Sequence, residues 1–198
     1  MIRIFPSSEA KVMPWKNGKG TTRELLIEPE GALFPRDPFL WRLSSAPIRE
    51  STVFSQFPGY ARLLMVLTGE GLQINGTPLL PLQMLSFSGD EITEAKLASS
   101  EVLDLGLIYD PKRVRAAMKS VEIEKKTKLD LSVDPGECLL VLWNKGAGKI
   151  KAVGATHPVA EGDLVRIENH AQVSLFGEMA SQVICIRVVF LQNSKHGI

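Results

Sequence analysis

The 198-residue sequence predicts an all-β protein made of two small antiparallel barrel-like units, and three observations carry that expectation. Short apolar runs recur along the whole chain with turn residues between them. Leu72-Gln73-Ile74 alternates apolar with polar and runs into Asn75-Gly76, the strongest short-range signal for a two-residue hairpin. Helical periodicity is confined to one short segment, 110–119. Strand, turn, strand, all short, is the rhythm of a small barrel or jelly roll.

In chain order, residues 1–12 read as an opening strand. The segment Met13-Pro14-Trp15-Lys16-Asn17-Gly18-Lys19-Gly20 is rich in glycine and lysine but lacks the GxxxxGK[ST] spacing of a phosphate loop. Residues 23–28 alternate as a strand where that motif needs a helix. Residues 29–38 hold three prolines and form a loop. The next strand puts Phe39, Trp41, Leu43 and Ser45 on one face and Leu40, Arg42, Ser44 and Ala46 on the other. Residues 54–62 lead into an apolar strand at 63–68, closed by Gly69-Glu70-Gly71. Residues 77–87 supply a hairpin arm and 97–108 a further strand. Residues 110–119 are expected as a helix, with Asp110 as N-cap and Pro111 at the first helical position. Strands resume at 137–143, 149–153, 163–167, 171–176 and 182–191, with a hairpin signal at 144–148. Each half carries a Gly-Asp pair, Gly89-Asp90 and Gly162-Asp163. The expected division is 1–115 and 116–198, two units related by an old duplication and forming one body.

Composition narrows the function classes. The chain is 44% hydrophobic and 23% charged, which is globular and not disordered. A formal net charge of +1 gives no global attraction to nucleic acid or an anionic membrane, so neither is expected as a partner. Arg187 interrupts the late apolar run at 183–191, which is far shorter than a membrane span. The first residues lack the apolar core of a signal peptide, and a cytoplasmic location is the expectation. Cys138 and Cys185 are too few and too far apart for a disulfide framework or zinc site, and read as small buried hydrophobes.

Motifs over the first 110 residues resemble those of the HutD/Ves family, small bacterial proteins with a bicupin fold. They are Met13-Pro14-Trp15-Lys16-Asn17-Gly18 with Gly20-Thr21 and Arg23-Glu24, then Phe39-x-Trp41-Arg42-x-Ser44-x-Ala46. Phe54-Ser55-x-Phe57-Pro58-Gly59-x-x-Arg62, Gly69, Phe87-x-Gly89-Asp90 and Asp104 complete the set. The resemblance implies a role in histidine utilisation, where one member has been proposed to sense formylglutamate, or in stress response for the Ves branch. One departure stands out: the family tends to follow the acidic residue with Asn-x-Met, and here the run is Asp104-Leu105-Gly106-Leu107-Ile108.

Metal-binding cupins place His-x-His before the strand that starts near Arg62, and a Glu at the Arg62 position, seven residues before a glycine such as Gly69. Here the histidine slots fall near Ser55/Gln56 and Phe57/Pro58, with the last near Thr93, and none is a histidine. His157, His170 and His196 all lie outside the first unit. No metal and no cofactor are expected. What remains is cationic and aromatic. Arg23, Arg42 and Arg62, if they converge, form a forked receptor for a carboxylate, with Ser44 and Ser55 as neutral donors and Trp15 or Trp41 as packing surface. Two charge-assisted bonds plus packing amount to roughly 8 kcal/mol, a micromolar affinity. Lys16 and Asn17 sit in a glycine loop and read as functional. Glu24, Phe57 and Asp104, all in matched motifs, complete the expected binding set.

The expectation is a metal-independent bicupin whose partner is a small anionic metabolite; the sequence also leaves room for a homodimer. The enzyme alternative is a cupin isomerase or hydrolase using Lys16 and Glu24 for proton transfer. A third reading is an interaction scaffold with an inert barrel.

Overall fold

The computed structural model describes residues 1–14, 20–98, 101–152, 154–169 and 172–191. Its first strands are β1 (Ile2–Phe5), β2 (Lys11–Pro14), β3 (Thr21–Glu28), β4 (Trp41–Ile48), β5 (Thr52–Phe54) and β6 (Ala61–Thr68). There follow β7 (Leu72–Ile74), β8 (Thr77–Leu79), β9 (Met84–Ser88), β10 (Thr93–Leu97), β11 (Val102–Tyr109), β12 (Val114–Ile123) and β13 (Lys128–Leu131). The last are β14 (Glu137–Lys145), β15 (Gly148–Ala152), β16 (Ala155–Val159), β17 (Leu164–Glu168), β18 (Val173–Gly177) and β19 (Ser181–Phe190). One 3-10 turn, Ser7–Glu9, is the sole helical element among the described residues. The protein is all-β.

One compact unit is Ser8–Asp110. Its six-stranded sheet has the order β2-β3-β4-β11-β6-β9 and its four-stranded sheet the order β5-β10-β7-β8. Both are antiparallel, and the core includes Ile48, Leu64, Val66, Leu72, Ile74, Leu79, Ala95 and Val102. Each fully buried aliphatic contributes roughly 1.5–3 kcal/mol. The Asn75-Gly76 hairpin forms as expected: Ile74 pairs with Thr77, and both turn residues have positive φ, 49° and 81°. That is the type I′ geometry Asn-Gly favours.

The second unit comprises Met1–Ser7 with Pro111–Ile198. Its sheets have the orders β1-β17-β14-β19-β12 and β13-β18-β15-β16. The opening strand therefore belongs here and not with the residues that follow it, because β1 pairs with β17 from Ile2↔Ile167 to Phe5↔Leu164. The interior is apolar, with Leu139, Val141, Trp143, Ile150, Val165, Val183 and Cys185 among its residues.

The expected helix at 110–119 is a strand. Val114 to Ile123 pairs with β19 over ten residues, from Val114↔Phe190 to Ile123↔Ser181. A cap signal at Asp110-Pro111 is local, whereas the ten-residue ladder is tertiary, and it overrides a weak helical preference. The expected hairpin at 144–148 is also absent. β14 lies in the five-stranded sheet and β15 in the four-stranded one, so this turn carries the chain from one sheet to the other.

The two units repeat one strand order. Within each unit, β9-β6-β11-β4 corresponds to β17-β14-β19-β12, and β5-β10-β7-β8 to β13-β18-β15-β16. The sequence mark of the repeat is Gly69-Glu70-Gly71 against Gly146-Ala147-Gly148, which in each unit leaves the long strand for the smaller sheet. Gly69 and Gly146 both have positive φ, 97° and 84°. The Gly-Asp pairs are not equivalent, since Gly89-Asp90 follows β9 and Gly162-Asp163 precedes β17.

Candidate functional site

Strand register decides which side chains share a face. On β4 and β11, Ser44 pairs with Gly106, Ala46 with Asp104 and Arg42 with Ile108. On the other side of β11, Gly106 pairs with Leu64, Asp104 with Val66 and Ile108 with Arg62. On β3, Glu24 pairs with Ser44, and a bulge between Glu24 and Leu26 brings Ile27 opposite Arg42. Glu24, Arg42, Ser44, Arg62, Asp104 and Gly106 therefore face the same way as Leu64 and Val66, into the interior of the N-terminal barrel.

Arg42 and Glu24 form a buried ion pair, Nε to Oε2 at 2.7 Å, with side chains 4% and 8% exposed. Arg42 Nη1 also donates to Ser44 Oγ at 3.4 Å, and its guanidinium lies over Phe34 at 4.0 Å from the ring centroid. This guanidinium is neutralised within the fold. Arg62 is different. Phe54, Phe57 and Phe87 surround its guanidinium at 5.1, 5.5 and 4.9 Å from their ring centroids. Its Nη1 donates to the Ser55 carbonyl at 3.2 Å, and no carboxylate among the described residues forms an ion pair with it. Burial, opposed by attraction to Asp104, brings Arg62 down to about 10, so it remains a cation at neutral pH.

Asp104 accepts the Ala46 N–H at Oδ1, 2.8 Å. Burial pushes its carboxyl up to about 7, against the lowering effects of the Ala46 hydrogen bond and the Arg62 charge. Ser44, Arg62, Asp104 and Gly106 all remain partly accessible to solvent, whereas Leu43, Leu63, Leu105 and Leu107 on the opposite face are at most 3% exposed. The interior at this place is polar and partly reached by solvent.

The loop that carries Phe57 is clamped by Gly89-Asp90. Phe57 N–H donates to the Gly89 carbonyl at 2.8 Å, Gly89 N–H to the Tyr60 carbonyl at 2.7 Å, and Gly59 N–H to Asp90 Oδ1 at 2.9 Å. A Cβ on Gly89 would lie 2.4 Å from the Phe57 carbonyl oxygen. Gly89→Ala is therefore expected to cost about 1–3 kcal/mol in a denaturant titration and to loosen the aromatic wall around Arg62.

Several expected site residues do not join this group. Arg23 pairs with Ser45, one residue out of phase with Glu24, and so sits on the opposite face from Arg42 and Arg62; the three arginines do not converge. Trp41 is 0% exposed and shares that opposite face, so it offers no surface to a ligand of this site. Ser55 is exposed and contributes its carbonyl to Arg62. Trp15, Lys16 and Asn17 lie outside the described residues. The Lys16/Glu24 proton-transfer pair has its carboxylate engaged by Arg42. Thr93, in the slot of a missing cupin histidine, is 1% exposed and bonds to the Glu91 carbonyl. Among the described residues no group of three or more His, Cys, Asp or Glu is placed to hold a metal ion, and no helix is long and apolar enough to cross a membrane.

The repeat supplies an internal control. Seven residues before Gly69 stands Arg62, and seven before Gly146 stands Leu139. The same correspondence sets Val183 against Asp104 and Cys185 against Gly106, through the pairs Trp143↔Val183 and Val141↔Cys185. Leu139, Val183 and Cys185 belong to the apolar core of their unit. At these three places the C-terminal barrel is apolar, and its nearby Arg187, opposite Leu139, is paired with Glu137; the N-terminal barrel keeps a cation, a carboxyl and a glycine there.

A family model described as HutD matches residues 7–185. An uncharacterized 21.2 kDa protein in the hutC 3′ region of Pseudomonas putida is 42% identical over 123 residues, 60% of this chain and 63% of that protein, a little under two thirds of its length. Protein Ves of Escherichia fergusonii is 36% identical over 153 residues, covering 73% of this chain and 76% of that protein. Among solved structures, a conserved protein of unknown function from Pseudomonas aeruginosa superposes with a TM-score of 0.82 at 30% identity, over 96% of this chain and 99% of that one. HutD from Pseudomonas fluorescens, in a formate condition, gives 0.75 at 28% identity, over 97% and 100%. The bacterial pirin of Escherichia coli in complex with nickel(II) gives 0.67 at 14% identity over 94% and 98%, a likeness of the cupin fold alone.

Proposed function

The chain belongs to the HutD family, and from that premise we propose that it is a metal-independent bicupin that binds a small anionic metabolite in its N-terminal barrel. The observation that carries the reading is Arg62, a cation in the barrel interior, walled by three phenylalanines and without an ion pair among the described residues. A guanidinium in such surroundings favours a carboxylate, which its planar fork meets with two parallel hydrogen bonds. Ser44 and Asp104 offer further polar contacts on the same face. The apolar residues at the equivalent places of the other barrel support a role for these groups beyond holding a jelly roll together.

Relatives named HutD and a hutC 3′ region protein support a link to histidine utilisation. The part proposed for this chain is regulatory, there or in stress response, with a carboxylate such as formylglutamate as the signal. Calorimetry against formylglutamate, glutamate and urocanate tests the site. At least one acid is expected to bind, unaffected by chelator, with Arg62→Ala weakening it by about 10- to 100-fold. Equal affinities for wild type and Arg62→Ala, or dependence on an added divalent metal, would overturn the reading.

A further inference from the structure

We propose that Gly106 sets the size of ligand the N-terminal barrel accepts, its missing side chain making room for a carboxylate that carries a chain or ring of several carbons. The inference rests on the anion-binding reading and names the ligand class of that same site.

A glycine in mid-strand has to be explained. It costs conformational entropy and packs nothing, and it tends to mark a bulge, a bend or a place where a ligand or another backbone comes close. Gly106 lies inside the eight-residue β11, paired on both sides without a bulge at its own position. Its φ is not positive, so the backbone there does not require glycine. Close approach of protein is also excluded. A Cβ built on Gly106 would meet only the Ser44 carbonyl oxygen, at 4.0 Å, among the described residues. The contrast with the wedged glycines is large: at Gly148 a Cβ would lie 2.1 Å from the Phe176 carbonyl oxygen.

The empty volume therefore points into the barrel, between Asp104 and Ile108 along β11 and between Ser44 and Leu64 across it. Arg62 stands opposite Ile108 at one end of this row and Asp104 at the other. Four residues of strand separate those ends, on the order of 13 Å between backbones. An acid held at Arg62 thus extends its body over Gly106, with Leu64 and the phenylalanines beside it. In the C-terminal barrel the equivalent position is Cys185, a side chain packed in the core, so the same strand closes there.

The test is Gly106→Val, measured beside wild type and Arg62→Ala, with acetate, butanoate and benzoate as probes. Valine suits a central strand, so an open site predicts an unchanged or raised melting temperature. Acetate affinity is expected to stay the same, while benzoate weakens by about tenfold or more. A lowered melting temperature would show that the space is not open and would overturn the inference. So would unchanged benzoate binding, or an equal loss for all three acids, with Arg62→Ala still weakening binding; the anion reading survives both outcomes. If wild type binds none of these acids and none of formylglutamate, glutamate and urocanate, the anion reading itself fails and the inference with it; if it binds only the latter, the inference alone is overturned.

Discussion

Arg42→Ala is expected to destabilise the N-terminal unit by about 3–5 kcal/mol, the usual cost of removing one member of a buried ion pair. The pair is nearly inaccessible, at 4% and 8% exposure, and Arg42 Nε meets Glu24 Oε2 at 2.7 Å. Truncation leaves the Glu24 carboxylate in the barrel without its partner and removes the cation from the face of Phe34. Much of the loss comes from the stranded charge and not from the bond itself. A double replacement by apolar side chains of similar volume, Glu24→Leu with Arg42→Met, is therefore expected to recover most of it. Urea unfolding of the wild type, the single and the double variant measures both effects. A single variant costing under about 1 kcal/mol, or a double variant no better than the single, sinks this account.

The same pair shows what the amino-acid order reveals and what it withholds. Alternation along residues 39–46 correctly separates Arg42 and Ser44 from Trp41 and Leu43, because strand periodicity is a local property. Convergence of three arginines is not local. Arg23 fails it by a single residue of register, and register is a property of the partner strand. The Asn75-Gly76 hairpin was legible because two positive φ angles demand those residue types. The turn at 144–148 carries similar letters, yet it joins two sheets, a choice made by packing. The strand at 114–123 was hidden for a related reason, since its ten-residue partner lies 58 to 76 positions away.

Motif resemblance singled out Arg62 and Asp104 as candidates, and the fold places them on one face. Gly106 was visible only as a departure; that its position opens inward follows from the register of β11 with β4 and β6. The GxG repeat could have been found by sliding one half against the other, with Leu139 then standing opposite Arg62. That difference, with Val183 against Asp104 and Cys185 against Gly106, distinguishes the barrels.

The last expectation concerns Asp104, and its direction follows from linkage. Burial raises its folded-state pKa from the ordinary 3.8 to about 7, so the folded protein binds this proton more tightly than the unfolded chain does. Stability from this group is greatest below pH 4, declines as pH rises from about 4 to 7, and levels off above that. The full gap corresponds to about 4 kcal/mol, and partial accessibility of the side chain reduces the expected effect to about 2–4 kcal/mol. The charged groups facing it are Arg62 from β6, with Arg42 and Glu24 from β4 and β3, and the last two cancel each other. Asp104→Asn keeps the acceptor for the Ala46 N–H and never ionises. It is expected to match wild type near pH 4 and to exceed it in stability at pH 8. Denaturant midpoints of both proteins across that range read the difference, and a gap that does not change with pH refutes the assignment. Carboxylate binding should follow the same proton. An ionised Asp104 repels an acid held at Arg62, so wild-type affinity falls as pH rises through 7, while that of Asp104→Asn stays level.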